Sequence, residues 1–159
     1  IAFRVLNEVM FNSESARVRR VLVDDEELAT DLGAWYSGFK LGGTFEIQLN
    51  VVPGGDWRKA VDLLDREVER LISDGCTDRE AAMGVNKNEM AFLRTSMMAS
   101  SRARNFGHFE VTTGDFRDFY ALADNVKKVT AGDVQTIAGR YLKRQGRTVV
   151  VALPRDSQE

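Results

Sequence analysis

The clearest hydrophobic pattern in the chain is TFEIQLNVV, which starts at Thr44. Phe45, Ile47, Leu49 and Val51 alternate with Thr44, Glu46, Gln48 and Asn50. A period of two predicts a half-buried strand of an antiparallel sheet. Ala29 to Phe39 reads as its extended partner, and Gly42–Gly43 as the hairpin turn. Trp35 and Tyr36 are adjacent, so they point to opposite faces, one expected in the core and one on the surface. The opening run IAFRV, Ile1 to Val5, reads as a short strand. From Leu6 to about Glu27 the pattern turns helical, with a break near Asn12–Ser13. Arg17, Val18, Val21 and Leu22 give an apolar stripe with basic flanks. Helix starts normally carry a Ser, Thr, Asp or Asn cap. None separates Val5 from Leu6, so a missing segment is expected after Val5.

The strongest helical signal follows Pro53-Gly54-Gly55-Asp56, where Asp56 can cap. Trp57, Val61, Leu64, Val68 and Leu71 recur at spacings of three and four. Gly75 can end this helix with a left-handed residue. Thr77 to Glu80 is a capping-box pattern that starts the next one. Met83, Met90, Leu93 and Met97 mark a stripe on it, read as its inner, core-facing side. Phe116 to about Val129 reads as a further helix. Another starts on a Thr130–Asp133 cap, with Val134, Ile137, Ala138 and Tyr141 inward. TVVVAL, closed by Pro154, reads as a last strand, and the tail after Arg155 as frayed. The predicted fold is α+β: a mostly antiparallel sheet with helices packed on one face.

Composition narrows this picture. The chain has 159 residues, 43% hydrophobic and 29% charged, which suits one globular domain over residues 1–159. It opens on Ile1 inside an apolar run, so a fragment of a longer chain is expected. The net charge of −2 lacks the basic bias of nucleic-acid binders. No apolar run reaches transmembrane length. Cys76 is the only cysteine, which removes any internal disulfide or cysteine-based zinc knuckle. It leaves the compartment open between bacterial periplasm and cytoplasm.

Candidate chemistry is sparse. His108, in NFGHFE, is the only histidine and stands two positions before Glu110. A nucleobase deaminase would also need Pro-Cys-x-x-Cys. A helical zinc-peptidase motif needs two histidines on one face. Gly-x-Ser-x-Gly is absent, and Gly54–Gly55 lacks the Lys-Ser/Thr of a phosphate loop. His108 therefore reads as structural or surface, and the chain carries no catalytic constellation of its own.

Several segments in order carry a resemblance. These are LNEVMFNSESARV, with Ser15-Ala16-Arg17-Val18, then VLVDDEELATDLGAWYSG, and then GGTFEIQLN running into the helices at Asp74, Gly75, Thr77 and Glu80. Val129 to Tyr141 and TVVVALP complete the series. Together they resemble the second, non-catalytic domain of the pitrilysin-type zinc metallopeptidases, which include insulysin and the mitochondrial processing peptidase.

The resemblance implies that the zinc motif, His-x-x-Glu-His, lies in another domain or in a partner chain. It implies zinc in the parent enzyme, none bound by this chain, a peptide substrate and a homo- or heterodimeric assembly. In active members this half supplies an Arg and, seven residues on, a Tyr that steady the substrate carbonyl. Those positions fall on Val23 and Thr30. Valine donates nothing and threonine is too short, so Thr30 is left as the one substrate-contact candidate. Two other readings stand beside this one: a non-proteolytic core subunit of the same family, and a generic α+β interaction domain.

Overall fold

The structure of the protein, a computed structural model, describes residues 1–153. It begins with a helix, not a strand. α1 spans Ala2–Asn7 and continues through a π-helical turn, Glu8–Asn12. Val5, Leu6, Val9 and Met10 are all buried, and that spacing is one face of a helix. Ile1 to Val5 is too short to distinguish a period of 2 from 3.6, and the face that follows decides it. Val5 and Leu6 both lie inside α1. The strand-to-helix joint expected at Val5–Leu6 is replaced by continuous helix.

The chain leaves this helix at Ser13, whose ψ is 149°, where the break is predicted. α2 (Arg17–Arg19) and a second π-helical turn, Arg20–Asp25, bury Val18 and Leu22. Glu27, with φ of 50°, then redirects the chain, and Leu28 N–H donates to the Leu22 carbonyl at 2.9 Å.

β1 (Ala29–Phe39) and β2 (Gly42–Val51) form an antiparallel hairpin. Lys40 and Leu41 make the turn, because Phe39 opposes Gly42. The glycines expected in the turn are paired residues instead. Gly43 opposes Gly38, and a Cβ on Gly43 would lie 2.6 Å from the Ser37 carbonyl oxygen, so this close approach requires glycine. Ala29 opposes Val51 and Asp31 opposes Asn50, leaving Thr30 as a bulge. The bulge resets the alternation, so Ala29, Leu32 and Ala34 are all buried. Phe45, Ile47, Leu49 and Val51 pack against the same core, as their alternation predicts. Tyr36 stacks on Phe3, with centroids 5.4 Å apart. Trp35 and Tyr36 are 41% and 43% exposed, so neither is a core residue.

α3 (Trp57–Asp74) starts on Asp56, whose carboxylate accepts from the N–H groups of Arg58 and Lys59. It buries Ala60, Val68 and Leu71. Gly75 ends it with φ of 74° and ψ of −168°, a positive-φ conformation outside the left-handed helical region. α4 (Asp78–Met97) opens on the predicted capping box between Thr77 and Glu80.

The methionine stripe of α4 does not face inward. Met83, Met90, Leu93 and Met97 are 38%, 51%, 55% and 82% exposed. The inner face is Ala81, Gly84 and Val85. A Cβ on Gly84 would sit 3.0 Å from Val5 Cγ1 and 3.1 Å from the Val5 oxygen. α4 crosses α1 so closely that small residues must lie between them, which turns the bulky ones outward.

α5 (Ala99–Thr113) ends at Gly114, with φ of 87°. It packs on α6 (Asp118–Val126) through Phe106 and Phe109, which meet Phe119. α7 (Ala131–Tyr141) starts on the Thr130–Asp133 capping box and buries Val134 and Ala138. Ile137 packs against the core, but Tyr141 is 52% exposed. Thr148 to Leu153 forms no strand, and Val150 is 87% exposed. The short 3₁₀ turn before it, Arg144–Gly146, is tied to α3: Arg144 Nε and the Arg147 guanidinium both bond the buried Asp65 carboxylate. A strand needs a neighbour, and the segment leaves α3 without one. Pro154 and the tail lie outside the described residues. The α+β class stands, with an antiparallel hairpin and helices packed against one of its faces.

Candidate functional site

The outer edge of β1 is closed at its centre by side chains. Ala34 N–H donates to Asn12 Oδ1 at 2.9 Å. The Ala34 carbonyl accepts from Asn12 Nδ2 at 2.9 Å and from Asn7 Nδ2 at 2.6 Å. The carboxamide of Asn12 thus pairs with one residue of β1 as a neighbouring strand would. Neither asparagine stands out in the sequence, because the partner lies far along the chain.

Val23 and Thr30 flank the entry to this hairpin. Val23 is partly buried and packs against the core. Thr30 is exposed at the bulge, and its hydroxyl donates to the Asn50 carbonyl at 3.2 Å. That bond uses the one proton Thr30 could offer a carbonyl.

Arg17 has a structural partner. Its Nε and Nη2 bond the two oxygens of Glu80 at 2.7 and 2.8 Å. The Arg17 guanidinium, with help from Thr77, holds the Glu80 carboxyl down at about 2. Glu80 also accepts from the Thr77 N–H and hydroxyl. One carboxylate therefore joins the start of α2 to the capping box of α4. Cys76 lies beside this pair, and burial pushes its thiol up. It is no activated nucleophile.

His108 lies exposed on α5, with its ring edge-on to Phe109 at 5.6 Å. It lines a cavity of about 140 Å³ with Asn88, Phe92, Asn105 and Phe119. Among the described residues no three His, Cys, Asp or Glu side chains are grouped to hold a metal ion. Zinc needs about three such ligands, so this donor set does not fit it.

The hairpin, the Arg17 stretch and the start of α4 all lie within one matched region. The sequence profile of a family described as the peptidase M16 inactive domain matches residues 1–88, more than half of the 159 residues. The chain belongs to this family. Solved structures agree on the fold of this inactive peptidase domain. A candidate zinc protease from Bordetella pertussis superposes with a TM-score of 0.83 at 23% identity, covering 96% of this chain and 83% of that one. The inactive peptidase domain of a candidate zinc protease from Bordetella parapertussis gives 0.82 at 24% identity, covering 92% and 79%. A protease from Helicobacter pylori gives 0.81 at 17% identity, covering 89% of this chain but only 34% of its own length. A search among curated proteins finds no match. Family membership accounts for the hairpin and the helices packed against it. The profile's description, an inactive peptidase domain, agrees with the expected non-catalytic domain. Among the described residues, no helix is long and apolar enough to cross a membrane.

Proposed function

We propose that this inactive domain forms the non-catalytic wall of a substrate chamber in a zinc-dependent metalloendopeptidase. The zinc motif belongs to another domain or to a partner chain. The observation that carries this reading is the match of residues 1–88 to the peptidase M16 inactive domain. Chemistry is assigned to the other half. There, a bound zinc would supply Lewis-acid activation for hydrolysis of a peptide held as an added strand.

This half bounds the chamber and limits substrate size. Asn12 and Asn7 support a wall role, because they fill the centre of the β1 edge where a peptide would otherwise pair. Thr30 remains the substrate-contact residue in this reading. With its proton engaged by Asn50, it contacts peptide through its methyl group and free lone pair, without polarising the scissile carbonyl.

Peptide hydrolysis by the zinc-bearing half, with and without this chain, tests the proposal. Addition of the chain is expected to raise the rate and to impose an upper size limit on substrates. An unchanged rate and unchanged size profile would overturn it.

A further inference from the structure

The methionine stripe of α4 is the feature that neither the fold nor the proposed function uses. Met83, Met90, Leu93 and Met97 line one exposed face of α4, and Met98 follows at 60% exposed. Of the methionines in the chain, only Met10 is buried. Flexible, polarizable methionines suit a surface that adapts to a partner.

Charge surrounds this face unevenly. From Arg79 to Arg104 the basic residues are Arg79, Lys87, Arg94, Arg102 and Arg104, and the acidic ones are Glu80 and Glu89. Glu80 is bonded to Arg17, and Glu89 to Lys127. None of the five cations has an ion-pair partner among the described residues, and all five are exposed. A chain with net charge −2 therefore carries unpaired positive charge along α4, which bears this exposed apolar face, and at the start of α5. Two copies of that face would repel each other. The complement is a surface that is apolar at its centre and acidic at its rim.

We infer that the Met83–Met97 face of α4 is the docking surface for an acidic, apolar patch on the zinc-bearing half. This rests on the reading above that such a half exists. The basic rim steers encounter, and Met90, Leu93 and Met97 supply the buried centre.

Zero-length carbodiimide cross-linking in the intact parent assembly tests it, because the reagent joins Lys87 only to a carboxylate in contact. Zinc content is read on the same sample, so failure of the functional reading is seen separately as a zinc-free assembly. The expected result is a Lys87 link to an Asp or Glu of the zinc-bearing half. The triple variant Arg79→Glu, Lys87→Glu, Arg94→Glu should weaken assembly by at least about tenfold, whereas Arg66→Glu on α3 should not. Met90→Ser with Leu93→Ser should weaken it to a similar degree, with circular dichroism unchanged. A zinc-containing assembly in which Lys87 stays unlinked, or links only to a second copy of this chain, overturns the inference. So does tight assembly by the triple variant, or binding of the chain to phosphatidylglycerol vesicles that the triple variant abolishes.

Discussion

Replacing Arg17 by methionine removes the guanidinium that joins α2 to α4 while keeping most of its stem volume. The carboxyl of Glu80 falls from an ordinary 4.5 to about 2 in the fold. At about 1.36 kcal/mol per pH unit that is a ceiling of about 3.4 kcal/mol. The side chains of Arg17 and Glu80 keep 19% and 31% of their exposure. Solvent screening, together with the Thr77 bonds that survive the substitution, reduces the expected loss to about 1–2 kcal/mol. Because the folded value is depressed, the stabilisation is complete above pH 4.5 and fades as pH falls towards 2. Urea unfolding at pH 7 and pH 3, on wild type and Arg17→Met, checks this. The difference between the two proteins should be clear at pH 7 and shrink at pH 3. Equal stability at pH 7, or a gap that widens on acidification, would refute the reasoning.

Other substitutions test the packing. Gly84→Leu drives a side chain into Val5, where a Cβ alone would already come within 3.0 Å of Cγ1, and should cost at least about 2 kcal/mol in thermal unfolding. Met83→Leu, one residue earlier on the exposed face, should stay within about 0.5 kcal/mol. Asp65→Asn loosens both Arg144 and Arg147 from α3; a loss of about 1–3 kcal/mol is expected, with faster proteolysis beyond residue 143. Asn12→Leu leaves Ala34 N–H without its partner and should cost about 1–3 kcal/mol, read as faster hydrogen exchange at Ala34.

The features legible in the sequence are those whose cause is local. The β2 alternation, the Asp56 cap and the two capping boxes each depend on residues within a few positions, and each appears where its pattern places it. Features set by distant partners are not legible. The Asn12 carboxamide meets Ala34 across 22 positions, and Arg17 meets Glu80 across 63. The stripe on α4 shows the same limit from another side. Periodicity defines a face but not its neighbour, and the crossing of α1 at Gly84 selects the small-residue face. IAFRV illustrates length: a run that short carries no period of its own. For the site, the missing donors at Val23 and Thr30 and the solitary His108 are visible as residue types. The bond that occupies the Thr30 hydroxyl is not, because it depends on a bulge in the hairpin register.

Zinc stoichiometry, measured together with peptide hydrolysis on the parent protein and on this chain alone, addresses the central claim most directly. The account predicts a zinc-containing, peptide-cleaving parent and a folded, inert chain that takes up no stoichiometric zinc. Stoichiometric zinc on the chain itself, lost in His108→Ala, would contradict it.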